Sequence, residues 1–281
     1  MKLLVTNDDG VPSPGLWALA DGLRHAGHEI VVVAPAEERS GSGAAIGYIL
    51  PGEGVAASLV EREGWQGSAW AVDGPPALCV LLALRTGAFG AGFQGIVSGI
   101  NPGWNTGRGV IHSGTVGAVL TGGNAGLPGV AVSIDAATAQ VGEVGLRPRV
   151  REHWSTAATL AAAAIGEVGD LPPGEGGAVA MLNLNVPNCP LDEVRDVRPA
   201  TLGRAVPSGA RSPRPEVDAD GGLRVELVPP ALDPAPGTDH ALLIEGFATV
   251  TALSGISEVE GAGGDLVERL AALVGDRVAS R

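Results

Sequence analysis

Apolar residues gather in short runs separated by glycine- and proline-bearing turns, and two kinds of run alternate along the chain. Residues 3–6 form a strand-like run that stops at Asn7-Asp8-Asp9-Gly10. Residues 16–26 then set Leu16, Leu19, Ala20 and Leu23 on one helical face, and residues 30–34 form a second all-apolar strand closed by Pro35. Continuous apolar strands flanking a helix suit a parallel sheet covered on both faces. The alternation continues with a helix opening at Pro75-Pro76 and running through residues 77–84. A strand at 95–100, a helix at 114–120, a strand at 129–134, a helix near 153–165 and a strand near 178–185 follow. These elements predict an α/β fold with a doubly wound, mostly parallel sheet over residues 1–190.

After Pro190 the character changes. Arg- and Pro-rich sequence at 195–215 precedes short alternating segments at 223–228 and 241–251, then a helix-like stretch at 265–278. Residues 191–281 are expected to form a β-rich C-terminal arm with a terminal helix, packed on the core.

Composition narrows the function. Forty-four Gly and 21 Pro would signal disorder in a polar chain, but here they punctuate apolar runs. A formal net charge of −13 argues against a nucleic-acid partner, whose phosphates call for a basic face. A small anion remains compatible if a metal ion reverses the local sign. Met1-Lys2 leads directly into the first strand, and no apolar stretch free of breakers reaches spanning length. A cytoplasmic protein with no membrane partner is expected. Cys79 and Cys189 have no ligand-type spacing and are expected to be buried free thiols in a reducing compartment.

In an open parallel sheet, ligands sit beyond the carboxyl ends of the strands. Three turns there hold unusual polar residues. Asn7-Asp8-Asp9-Gly10 sets two carboxylates side by side, which suits a hard cation such as Mg2+ or Mn2+, and equally suits an Asx turn leading into a helix. Arg39-Ser40-Gly41-Ser42-Gly43 follows the second strand as a polar loop. Ser98-Gly99-Ile100-Asn101-Pro102-Gly103-Trp104-Asn105-Thr106-Gly107 leads to His112-Ser113-Gly114-Thr115. There a helix N-terminus with two hydroxyls offers either a phosphate cradle or ordinary capping by Ser113.

Taken together, Asn7–Gly10, Val33-Ala34-Pro35 with Arg39-Ser40-Gly41, Ser98-Gly99-Ile100-Asn101 with Gly103 and Asn105, and Ser113-Gly114-Thr115-Val116 closely resemble the SurE family of survival-protein-E 5′/3′-nucleotidases. Leu184-Asn185-Val186-Pro187, Gly237-Thr238-Asp239 and the run from Gly246-Phe247 to Thr251 extend the likeness over most of the chain. The resemblance implies a SurE-like fold, one divalent metal ion per subunit, Mg2+ or Mn2+, and hydrolysis of nucleoside monophosphates, in some members also of short polyphosphate. It implies Asp8, Asp9, Ser40 and Asn101 as metal ligands, and Asn105, Ser113, Gly114 and Thr115 as the residues facing the phosphate. Asp8, Asp9 and Asn105 are the implied catalytic residues, and the C-terminal arm is implied in a homodimer or homotetramer. Ala36-Glu37, Gly74-Pro75-Pro76-Ala77-Leu78, His112 and Ala252 depart from the usual family pattern, which bears on pocket shape and substrate preference.

The leaving alkoxide needs a proton from solvent or from a nearby acid that the sequence does not identify; an imidazole at His112 or His240 could serve, though a structural role is the stronger reading for each histidine. Two rival readings stand beside the metal-dependent nucleotidase. An aspartyl-phosphate-type phosphatase would place alternating rather than adjacent carboxylates after strand one. A non-catalytic nucleotide-binding α/β protein would need glycines where Asp8 and Asp9 stand.

Overall fold

The structure, a computed structural model, describes residues 1–47, 52–135, 153–170, 179–204, 216–217, 221–224 and 234–255. In chain order the elements are β1 (Lys2–Thr6), α1 (Pro14–His25), β2 (Glu29–Pro35), β3 (Ala57–Leu59), β4 (Ser68–Val72), α2 (Pro76–Thr86) and β5 (Gly95–Pro102). A 3-10 turn (Gly107–His112) leads to α3 (Gly114–Asn124), β6 (Gly129–Ile134), α4 (Trp154–Glu167) and β7 (Met181–Val186). Then come β8 (Val197–Pro199), the small pair β9 (Glu216–Val217) and β10 (Leu223–Arg224), α5 (Asp239–Ile244) and β11 (Ala248–Leu253).

Among the described residues, nine strands form one sheet in the order β3-β4-β2-β1-β5-β6-β7-β11-β8, and the neighbours from β4 to β7 are all parallel. The expected α/β architecture is what the chain adopts. The chain builds outward from β1 through β2 to β4, then returns to lay β5 on the other side of β1. That reversal opens a crevice between the carboxyl ends of β1 and β5, the place where such sheets bind ligands.

Strand alternation divides the core. Leu3, Val5, Ile30 and Val32 pack under α1 and α4 with Leu16, Leu19, Ala157 and Ile165. Leu4, Val31, Val33 and Ile96 face the opposite layer with Cys79 and Val80 of α2 and Ala118 of α3. Leu3, Leu4, Leu16 and Leu19 are fully buried, and burial of each such side chain contributes about 1.5–3 kcal/mol.

The pairing of β5 with β6 is irregular at one point. Ser98 pairs with Ala131 and Asn101 with Ser133, so β5 holds one residue more than β6 over that stretch, a bulge. Gly99 makes it possible: its φ is +132°, and a Cβ there would lie 2.3 Å from the Val132 carbonyl oxygen.

Residues beyond Pro190 join the same sheet, with β11 antiparallel to β7 and β8 parallel to β11 at the edge. The alternating segment expected at 241–251 is in fact two elements, the short helix α5 and the strand β11. The short apolar run at 241–244 is compatible with either geometry, and in the structure it completes α5, which packs against β11. β3 and β4, with their exposed and small residues, had no clear strand pattern. The helix-like stretch at 265–278 lies outside the described residues. Among the described residues, no helix is long and apolar enough to cross a membrane.

Candidate active site

The turn after β1 is tied down by its own residues. Asn7 Nδ2 donates to the Gly10 carbonyl at 3.1 Å, and Gly10 has φ +83°. A Cβ on Gly10 would come within 2.8 Å of the Glu37 backbone, so the turn presses directly on the segment after β2. The Arg39 amide donates to the Asp8 carbonyl at 2.7 Å, which brings Ser40 beside Asp8.

Asp8 is 4% exposed, and its Oδ1 accepts a 2.5 Å hydrogen bond from Thr115 Oγ1, itself fully buried. Burial pushes the Asp8 carboxyl above its ordinary value, while the Thr115 hydroxyl and nearby backbone amides, those of Thr115 and Gly114 among them, pull it back down. The carboxylate therefore lies over the first turn of α3. No side chain fits between them: a Cβ at Gly114 would fall 2.7 Å from Asp8 Cβ and 2.7 Å from Ser42 Oγ.

Asp8, Ser40, Asn101, Asn105 and Ser113 line one pocket of about 250 Å³, together with Gly41, Trp104, Thr106, Gly109 and His112. Five of the residues singled out in the sequence thus meet from four separate stretches of chain. Asp9 follows Asp8 in the same turn and is half-buried, and Gly114 and Thr115 stand behind Asp8. A wider groove of about 650 Å³ between α1 and α4 is lined by Ala18, Gly22, Ala158, Ala162 and their neighbours, and no carboxylate faces it.

The hydrogen bonds orient the oxygen donors. Ser40 Oγ donates its proton to Glu38 Oε1 at 2.9 Å, leaving its lone pairs for a cation. Asn101 Nδ2 donates to the Gly103 carbonyl at 2.6 Å, so Oδ1 is the amide atom left for coordination. Among the described residues, no group of three or more His, Cys, Asp or Glu is placed to hold a metal ion. Asp8, Ser40 and Asn101 instead bring one carboxylate and two neutral oxygens to the pocket, with Asp9 next to Asp8 in the same turn, a chemistry that fits a hard divalent cation.

Asn105 sits in a network that its own segment does not reveal. Its amide nitrogen donates to Asn185 Oδ1 at 2.8 Å, its Nδ2 to Ser133 Oγ at 2.9 Å, and its carbonyl accepts from Asn183 Nδ2 and Asn185 Nδ2. Asp239, fully buried, accepts from the amides of Gly107, Gly203 and His240 and fastens the following turn. Ser113 Oγ caps α3 by accepting from the Val116 amide at 3.2 Å, which leaves its own proton free to donate into the pocket.

The two candidate histidines are placed differently. His112 is exposed at the pocket rim. His240 is 7% exposed, lies behind Trp104 with ring centroids 4.9 Å apart, and approaches Thr106 Oγ1 at 3.3 Å. Burial holds the His240 imidazole below its ordinary value against the opposing pull of Asp239 and Asp135.

The SurE family model, described as survival protein SurE, matches residues 3–208. A 5′-nucleotidase SurE of Rhodopirellula baltica is 36% identical over 255 residues, covering 90% of this chain and 92% of that one. A 5′/3′-nucleotidase SurE of Cronobacter sakazakii is 34% identical over 262 residues, with 90% of each chain covered. The crystal structure of the SurE protein from Aquifex aeolicus superposes with a TM-score of 0.73 at 24% identity, over 96% of this chain and 100% of that one, which shows the shared fold. With the family model spanning most of the sheet and relatives above 30% identity along nearly its whole length, this chain belongs to the SurE family.

Proposed function

We propose that this chain is a divalent-metal-dependent nucleotidase that hydrolyses nucleoside 5′- or 3′-monophosphates to nucleoside and inorganic phosphate, with short polyphosphate as a further substrate. The relatives named 5′-nucleotidase and 5′/3′-nucleotidase support the activity. The observation that carries it in this chain is the convergence of Asp8, Ser40, Asn101, Asn105 and Ser113 on one pocket beside the start of α3.

Asp8, Asp9, Ser40 and Asn101 Oδ1 would hold one Mg2+ or Mn2+, which supplies charge neutralisation for the phosphate and a lowered pKa for an attacking water. Asp8 and Asp9 orient that water. Ser113, with its proton free, donates to a non-bridging phosphate oxygen, and the N-terminal turn of α3 adds a favourable field for the anion. Asn105, fixed by Asn183, Asn185 and Ser133, presents its side chain to the phosphate without the entropy cost of ordering it at the moment of reaction. His112 at the rim is the proton donor within reach of a leaving alkoxide, whereas Trp104 and Thr106 separate His240 from it.

A phosphate-release screen of ribo- and deoxyribonucleoside monophosphates and polyphosphate, with Mg2+, Mn2+ or chelator, tests this. Turnover that needs the cation and leaves no acid-stable phosphoenzyme is the expected result. Absence of release from every phosphate ester with every metal would end the enzyme assignment. We infer in addition that residues after Pro190 serve self-association into a dimer or tetramer. Supporting this, β8 lies at the sheet edge with all three residues exposed, and Leu191 and Val197 are exposed apolar side chains. Light scattering on the full chain and on one ending at Pro190 is the check, and an unchanged, soluble oligomer after truncation would refute the arm.

A further inference from the structure

We propose, building on the nucleotidase reading, that Trp104 is the platform on which the substrate's base stacks. The pocket would then select nucleotides, purine ahead of pyrimidine, over phosphate esters that lack a base. Four of the five tryptophans have a packing role: Trp17, Trp65 and Trp154 pack on the core layer under α1 and α4, and Trp70 on the opposite layer. Trp104 belongs to none of the apolar clusters and lies half-buried in the wall of a polar pocket. Among the described residues that line the pocket, it is the one aromatic ring apart from the His112 imidazole.

Its position is held from three sides. The preceding Gly103 amide is hydrogen-bonded to the carbonyls of Asn101 at 3.0 Å and Ile134 at 2.9 Å. The following Asn105 amide is bound to Asn185. The His240 ring meets the indole at an interplanar angle of 63°, and His240 is itself anchored through its amide to Asp239 Oδ1 at 2.9 Å. An indole held this way loses little rotamer freedom when a ligand stacks on it.

Pocket size sets where the base goes. About 250 Å³ falls below the roughly 300–1,000 Å³ of sites that enclose a whole drug-sized ligand. A phosphate at Ser113 and Asn105 with its sugar fills this space, and the base must lie at the wall. Trp104 directly precedes Asn105, so the ring stands beside the phosphate-binding residue. Every base has a π-face, which makes such a platform tolerant of base identity, and the larger purine face gains more from it.

The experiment compares the parent with Trp104→Leu and Trp104→Phe. Adenosine 5′-monophosphate is scored by its KM. Ribose 5-phosphate, the same phosphate and sugar without a base, is scored as a competitor of nucleotide hydrolysis. Stacking predicts that the preference for the nucleotide over ribose 5-phosphate falls about tenfold in Trp104→Leu and is largely kept in Trp104→Phe. Adenosine, which carries no phosphate, should lose inhibitory strength in Trp104→Leu by a similar factor. Equal weakening of both phosphates would mean that the ring only props the pocket, and an unchanged preference would overturn the platform outright. Failure of the nucleotidase reading shows elsewhere, as a parent protein releasing phosphate from no nucleotide, and that result would take this inference down with it.

Discussion

Replacing Thr115 with Val removes one hydroxyl from the buried junction of β1 and α3 while keeping the shape of the side chain. Thr115 Oγ1 donates to Asp8 Oδ1 over 2.5 Å, and with Asp8 only 4% exposed, water has little room to take the lost partner's place. A hydrogen bond to a charged group contributes about 1.5–3 kcal/mol. The bond is made in the cation-free chain as well, so its loss acts by favouring the protonated carboxyl, and affinity for Mn2+ should fall by up to roughly ten- to a hundredfold on the acid side, at about 1.4 kcal/mol per tenfold. Burial already raises the Asp8 carboxyl, and the Thr115 bond opposes that rise. Without it the carboxyl moves higher still, and because a cation requires the ionised form, the acid limb of metal affinity shifts to higher pH. Thr115→Ser keeps the hydroxyl and should stay close to the parent. Calorimetric Mn2+ titrations across a pH series, run beside nucleotide kinetics, measure both effects. A Val variant with parent affinity and parent pH dependence would refute the idea that Thr115 acts through Asp8.

Asp8→Asn and Asp9→Asn should each abolish turnover with the fold intact, and wild-type-like rates in either would count against the cation site. Because the folded-state Asp8 carboxyl is raised above 3.8, its contribution to stability is greatest below that value and is lost as pH rises through the folded value. Metal-free Asp8→Asn should therefore melt above the parent, by a margin that widens as pH rises; a margin independent of pH would contradict the burial argument. Gly114→Ala sets a Cβ 2.7 Å from both Asp8 Cβ and Ser42 Oγ, so overpacking of about 1–3 kcal/mol and weaker Mn2+ binding should appear together in melting and titration. Asn101→Asp turns the 2.6 Å donor to Gly103 into an oxygen facing an oxygen and adds a third negative charge beside the phosphate. At an effective dielectric near 20 that charge is worth on the order of several kcal/mol before screening, so kcat/KM should drop roughly a hundredfold or more, and parent-like nucleotide kinetics would remove Asn101 from the site.

Much of the fold was legible because apolar runs and their punctuation specify a parallel sheet. Residues 3–6 and 30–34 could hardly be anything but buried strands, and the polar turns after β1 and β2 marked where the chemistry would gather. The support for Asn105 was not legible in its own segment. Asn183 and Asn185 sit in the apolar run Met181–Val186, where alternation says only that they share a face. That this face meets the Asn105 turn depends on pairing between β6 and β7 and on a contact about 80 residues away in sequence. Thr115 shows a subtler limit: its place at a helix start suggested a phosphate contact, while the structure commits its hydroxyl to Asp8. Which of two nearby acceptors a hydroxyl chooses is decided by ångström-scale packing that a sequence pattern does not encode.

The bulge at Gly99 governs sidedness. In an unbroken strand, residues three apart point to opposite faces, but Val97 and Ile100 both enter the apolar layer under α1 and α4. The extra residue exchanges odd for even, so Asn101 emerges on the α3 side, where it shares a pocket with Asp8 and Ser113. The same residues paired without the bulge would turn that amide toward leucine and isoleucine on the far side of the sheet. The location of the chemistry is thus a matter of parity along one strand, and forcing regular pairing through Gly99, with no residue removed, would leave a sheet of the same architecture with its asparagine facing the wrong way.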